Sequence, residues 1–274
     1  MIEPIAAPAA TRVATAATML RMSARFWFTV AAIGQLAFVY FIARFYIPPT
    51  LQGQLEAWNR KALITGYVPG DDAGNFAFGV HVVLAAVITA SGLVQLLPVI
   101  RRRAPALHRW NGRVFVTLAV VMSLGGLWLV WGRGTYLTIP GAVSISLLGV
   151  LTLVAAATTV WHARARRIAS HEAWALRLFL LCSGVWFQRV GYMAWIILNG
   201  APVGIGPRMD GAFDIAWGFG QFILPLTVLE LYLLARRSMS PGLKASVAAL
   251  LGLLTLVMAV GIAGTVGIMW WRFI

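Results

Sequence analysis

Eight side chains have types and spacings that could do chemistry: His81, His108, His162, His171, Arg177, Arg189, Asp214 and Glu230. Imidazoles move protons near neutral pH and ligate metals through whichever ring nitrogen is free. Guanidiniums present a fixed fork to carboxylates and phosphates. His171 and Arg189 are eighteen residues apart, about five helical turns, which predicts one shared face with Trp174 and Tyr192 beside it. Arg177 is turned away from His171 by about 120°. It matches Glu230 in distance from one end of its run, which predicts a structural Arg177–Glu230 ion pair. His81 shares its face with Ala85, Ile88, Gly92 and Gln95, small or polar positions suited to packing inward. The expected arrangement is a cavity faced by His81, Arg189 and Tyr192.

Metal chemistry is not expected. His108, His162 and His171 gather near one end of the helices with Glu230, but their spacing fits no helical ligand motif, and many arginines surround them. Positive surroundings oppose a bare cation. They favour an anion such as a phospholipid head or a haem propionate. Interfacial residues that only set orientation explain the same cluster. No Gly-rich phosphate loop, catalytic serine triad or HExxH is present, so no enzymatic activity is assigned.

These residues must be positioned by membrane helices. The chain has 274 residues, 60% hydrophobic and 11% charged, and a mean hydropathy of +0.83. A soluble domain carries about 25% charged residues. A spanning helix needs about 20 mainly apolar residues. Seven such runs occur, at 26–47, 76–100, 113–131, 138–161, 173–198, 212–235 and 245–269. They are too long, and alternate too little, for a lipid-facing barrel. The connection 48–75 is polar and rich in Pro and Gly, with a short interfacial helix expected over 55–64. Residues 1–25 read as a cytoplasmic segment leading into an uncleaved first span, and 26–274 as one membrane domain.

The net charge of +14, from 22 Lys+Arg against 8 Asp+Glu, follows a topological pattern. Basic residues crowd every second segment: Arg12, Arg21 and Arg25; Arg101, Arg102, Arg103, Arg109 and Arg113; Arg164, Arg166 and Arg167; Arg236, Arg237 and Lys244. The positive-inside rule then puts the N-terminus in the cytoplasm and the C-terminus outside. Nucleic acid is not expected as a partner, because these short loops present no broad basic face. Cys182 is the sole cysteine and forms no intrachain disulfide.

Four motifs in order carry a family resemblance. They are His81, then Gly92, Gln95 and Pro98; His108-Arg109 with Gly112-Arg113; His171, Trp174 and Arg177; and finally Arg189. The stretch 81–192 resembles the bacterial family of multi-pass membrane proteins filed as domain of unknown function 2306. Relatives often carry Met after the Trp, where this chain has Ala175. The resemblance implies His81, His108, Arg109, Gly112, Arg113, His171, Arg177 and Arg189 as functional positions. It implies a fold without a mechanism.

The combined reading is an all-α, seven-span bundle of the bacterial inner membrane. It binds an anionic, lipid-like or quinone-like ligand in a polar core lined by His81, His108, Arg109, Arg113, His171, Arg177, Arg189 and Tyr192, or serves as an accessory subunit of a membrane complex. One alternative is a b-type haem protein with His108 and His171 as axial pair. Another is a transporter or proton pathway using His81, Arg189, Asp214 and Glu230.

Overall fold

The computed structural model describes residues 9–61 and 65–274. The residues before Ala9, and 62–64 of the expected interfacial helix, lie outside the described part. Among the described residues all regular structure is helical. In chain order the helices are α1 (Ala9–Leu51), α2 (Asp72–Leu96), α3 (Pro98–Arg103), α4 (Pro105–Trp131), α5 (Ile139–Arg164), α6 (Ile168–Cys182), α7 (Gly184–Asn199), α8 (Ala212–Arg237) and α9 (Pro241–Gly264). A 3-10 turn, Leu55–Arg60, follows α1, and α9 continues into a π-helical turn, Thr265–Trp270.

Six of these helices are each long and apolar enough to cross a bilayer: α1, α2, α4, α5, α8, and α9 with its continuation. Only 28–39% of each apolar window is buried within the protein. The rest, including Ile33, Leu36, Val121, Leu124, Val150 and Leu253, is exposed, as a lipid-facing surface requires. The fifth apolar run is carried by two helices, α6 of 15 residues and α7 of 16. They part at Ser183-Gly184, a Ser/Gly pair of the kind at which helices kink. The Ser183 hydroxyl donates to the Phe179 carbonyl at 2.8 Å and accepts from Gln35 Nε2 of α1 at 3.0 Å. Such back-bonding draws a carbonyl out of the regular ladder and bends the helix.

Despite the break, α6 and α7 run antiparallel to α8 in one continuous register. Glu172 meets Arg236 at 2.9 Å, and Arg177 meets Glu230 at 2.7 Å. Further along, Trp217 Nε1 donates to the Gln188 carbonyl at 3.0 Å and Tyr192 Oη to Asp214 at 2.8 Å. Each step forward along α6–α7 is a step back along α8. In contrast, α1 and α9 lie parallel. Leu20 packs with Val247, Ala248 and Leu251, and further along both helices Phe38 and Phe41 stack on Trp270. Gly261 permits the close contact of α9 with α7, since a Cβ there would overlap the Val190 carbonyl.

Helix ends differ from the apolar runs for local reasons. α1 extends without interruption from Ala9 through residue 25 and through Pro48 and Pro49 to Leu51. Its early turns already bury Ala16 and Leu20 against protein. α4 starts at Pro105, eight residues before the apolar run, because proline suits the first helical position, where its missing N–H is not needed. The buried Lys244 amine donates to the Ala235 carbonyl at 2.8 Å and closes the end of α8.

The connection between α1 and α2 is tied down by Arg133, which follows α4. Its guanidinium bonds Asp71 Oδ2 at 2.7 Å, Asn75 Oδ1 at 2.7 Å and the Gly66 carbonyl at 3.2 Å. The Arg133 side chain is 5% exposed and that of Asp71 36%. Arg133→Met is expected to cost about 2–3 kcal/mol, less than breaking a fully buried pair because Asp71 stays part-solvated. Asp71→Asn should cost less, since it leaves the Gly66 and Asn75 bonds in place; thermal unfolding in detergent measures both. The hydrogen bonds from Arg133 and the Gly74 N–H hold the Asp71 carboxyl below its ordinary 3.8. Its stabilisation is therefore complete above that pH and is lost as pH falls through the lowered value.

Candidate functional site

The C-terminal half of α1 carries Phe38, Phe41 and Phe45, spaced three and four residues apart and so on one helical face. The π-helical turn inserts Trp270 among them. Trp270 stacks on Phe38 with ring centroids 5.3 Å apart and on Phe41 at 5.1 Å, and Phe41 stacks on Phe45 at 5.4 Å. Phe273 closes edge-on against Phe45 at 5.7 Å. The result is a ring stack shared by α1 and the end of α9.

Four cations stand over these rings. The Arg189 guanidinium of α7 lies 5.6 Å from the Phe38 centroid and Lys61 Nζ 4.4 Å from that of Phe41. Arg60 lies 5.2 Å from Phe45 and Arg272 4.9 Å from Phe273. Cation–π attraction contributes about 0.5–2 kcal/mol per pair, more as water is excluded. It does not neutralise charge. The three ion pairs among the described residues, Arg133–Asp71, Arg177–Glu230 and Arg236–Glu172, include none of the four. Arg189 Nη1 donates only to the Val185 carbonyl of its own helix, at 2.7 Å. Burial, then the positive charges of Arg189 and Arg272, push the Lys61 amine down to about 7.

Trp270 of the stack, and Trp186 and Gln35 near the α6–α7 break, carry buried polar atoms without partners. Trp186 Nε1, Trp270 Nε1 and Gln35 Oε1 make no hydrogen bond, and each side chain is 2% exposed or less. A buried orphan costs about 1–3 kcal/mol, so each such atom calls for a physical explanation. Two of the three are donors, as is Arg189. A donor-rich, cationic, aromatic surface suits a molecule with anionic oxygens and an apolar body.

A second polar cluster lies between α2 and α4. The Ser91 hydroxyl donates to Asn111 Oδ1 at 2.9 Å, and Asn111 Nδ2 donates to the Ser91 carbonyl and to Gln95 Oε1, both at 2.9 Å. These bonds fix both amides, so Gln95 must present its NH2 to His108 Nε2, at 3.3 Å. His108 Nε2 is then an acceptor and the proton sits on Nδ1, which is buried and unpartnered. His171 Nδ1 contacts the Thr159 carbonyl at 3.0 Å, so that nitrogen carries the proton and Nε2 keeps its lone pair. A haem iron suits His171 on this basis. It does not suit His108, whose one ring lone pair is occupied by Gln95.

The remaining expected positions are dispersed. His81 packs on α4 at Gly125 and Gly126, where a Cβ on Gly126 would stand 3.4 Å from its ring. Tyr192 is fixed by Asp214, whose other oxygen accepts from the Gly206 and Gly211 N–H groups at 2.7 and 2.8 Å. His81, Arg189 and Tyr192 therefore turn to α4, α1 and α8 respectively and do not line one cavity. The shared face drawn from His171 to Arg189 assumed an unbroken helix, which Ser183 interrupts. Arg177 and Glu230 meet through two parallel bonds of 2.7 and 2.9 Å, with Arg177 also 4.7 Å over Trp174. Arg109 and Arg113 are exposed, and Arg113 lies 4.6 Å over Trp110. Among the described residues no group of three or more His, Cys, Asp or Glu could hold a metal ion. Sequence reasoning missed Lys61, Gln35, Asn111 and the ring stack. The spacing of Phe38, Phe41 and Phe45 was the available signal.

A family model described as a predicted membrane protein, DUF2306, matches residues 78–218, a little over half of the chain. No curated protein and no solved structure matches. The matched stretch contains the His108 network, Trp186 and Arg189, while the ring stack on α1 and the π-helical turn lies outside it.

The tautomer of His108 is directly measurable. Nitrogen-15 histidine spectra of the protein in lipid should show a neutral His108 protonated at Nδ1. Gln95→Glu, which offers an acceptor in place of the NH2, should move that proton to Nε2.

Proposed function

The chain belongs to the DUF2306 family of predicted membrane proteins, and from that premise we propose that it is a seven-crossing protein of the bacterial inner membrane that binds an anionic, lipid-like amphiphile at the outer ring stack. One observation carries the ligand: the Arg189 guanidinium lies over the Phe38 ring and has no carboxylate partner among the described residues. A cation within a span normally faces a partner. Here the missing partner is an anion from outside the chain. The four cations favour the anionic class over a quinone, whose carbonyls are neutral, and the rings offer apolar contact to its tail.

Two features support seven crossings. The continuous register of α6–α7 along α8 makes the broken pair one unit of bilayer length. The parallel packing of α1 and α9 requires that both cross in the same sense, as the first and seventh of seven spans do. The basic segments then place the N-terminus in the cytoplasm and the C-terminus outside. Transport is a second reading, and the two backbone irregularities favour it. The Ser183 break and the π-helical turn both adjoin α7, where Thr265 Oγ1 reaches the Arg189 carbonyl at 3.3 Å. A π turn within a helix is frequent at functional sites.

Decanesulfonate serves as an anionic probe of fixed charge and decanol as its neutral counterpart. In zwitterionic nanodiscs, calorimetric titration should show decanesulfonate bound and Arg189→Leu weakening it by about 10-fold or more, the loss of one charge-assisted contact. Decanol should not distinguish the two proteins. Equal decanesulfonate affinity in both would defeat the reading. For the topology, reporters fused to the two termini should label opposite sides of the membrane; labelling on one side contradicts seven crossings.

A further inference from the structure

Lys61 enters this corner from outside the spans. It follows the 3-10 turn, yet its amine rests on Phe41, ten residues before the end of α1. At about 1.5 Å per residue, that contact lies some 15 Å back along the helix. The start of the α1–α2 connection, through Lys61, therefore folds down along α1. Arg133 holds the far part of the same connection through Gly66 and Asp71.

Phe38 and Phe41 are both stacked against Trp270. Arg189 stands over the first and Lys61 over the second, so the two cations come from different elements onto one three-ring stack. We infer that Lys61 and Arg189 close on the head of a single anion as a two-cation clamp, and that binding of the anion places a proton from the outer solvent on Lys61. This rests on the binding reading proposed above and adds to it a second contact and a coupled proton.

The balance of the step is simple. A neutral Lys61 amine takes one proton from water and becomes an ammonium, and no bond to the ligand forms. The charged groups around it are Arg189 on α7, Arg272 on the C-terminal turn and Arg60 on its own turn. Tyr46 of α1 completes the corner within the field of Arg189. Glu56, the acid of the same turn, makes no ion pair among the described residues. With cations only at close range, the ammonium is disfavoured until an anion arrives. Its titration near 7, against an ordinary 10.5, puts the coupled proton in the window above neutrality. An anion seated between the two cations restores the charged form. Affinity for a fixed-charge anion should therefore be level below pH 7 and fall by up to about tenfold per pH unit above it.

Calorimetric titration of decanesulfonate into the nanodisc-embedded protein at pH 6.5, 7.5 and 8.5, in buffers of different ionisation enthalpy, reads both affinity and proton uptake. The wild-type chain should lose about tenfold in affinity between pH 7.5 and 8.5 and take up close to one proton. Lys61→Arg, which keeps the charge and does not titrate in this range, should bind with no pH dependence and no proton uptake. Lys61→Met should bind weakly at every pH while Arg189 still contributes. A pH dependence that survives in Lys61→Arg, or wild-type affinity in Lys61→Met, overturns the clamp and leaves the Arg189 site standing. Absence of binding by the wild-type chain at all three pH values overturns both.

Discussion

The hydrocarbon core of a bilayer does not solvate charge, so every ionised or hydrogen-bonding group placed there must be satisfied from within the protein. Most of this bundle obeys that constraint by pairing. Arg177 has Glu230, Tyr192 has Asp214, Lys244 has the carbonyl end of α8, and Asn111 binds together α2 and α4. These contacts sit at successive levels, so they fix the register in which the helices lie against one another. Apolar packing alone specifies register weakly in lipid, where the tails are as apolar as the side chains.

The ring stack of α1 and the end of α9 departs from the rule. Four cations gather there on aromatic faces, in none of the ion pairs among the described residues, and the Trp270 indole N–H of the stack has no acceptor. Aromatic faces soften the cost of burying charge without cancelling it. The corner is assembled from parts that are distant in sequence: α1, the connection after it, α7 and the end of α9. The Ser183 break and the π-helical turn both lie where these parts converge. A regular α-helix would carry Trp270 to a different face of α9, away from Phe38 and Phe41. The irregular backbone is thus what brings Trp270 onto the two rings that carry Arg189 and Lys61.

The architecture was legible in the sequence because length and hydropathy respond directly to bilayer thickness. The matched positions of Arg177 and Glu230 added one side-chain contact. The break at Ser183 was not legible. A serine in an apolar run usually back-bonds within a continuous helix, and only its contact with Gln35 of α1 distinguishes it. Grouping His81, Arg189 and Tyr192 failed for a related reason. Depth and helical angle place a side chain on a face without saying which neighbour that face meets. Lys61 was out of reach because loop hydropathy does not reveal a connection that folds back into the bundle. The role of Gln95 was hidden because a tautomer depends on a chain of bonds that only coordinates reveal.

In the proposed site an anion completes the corner between Arg189 and Lys61. A high-resolution electron cryomicroscopy map of the protein extracted directly into native lipid discs tests this most directly. It should show an elongated density with its head between the Arg189 guanidinium and the Lys61 amine and its tail along Phe38 and Phe41. A map in which Arg189 instead contacts a carboxylate of this chain, or turns its guanidinium away from Phe38, would contradict the account.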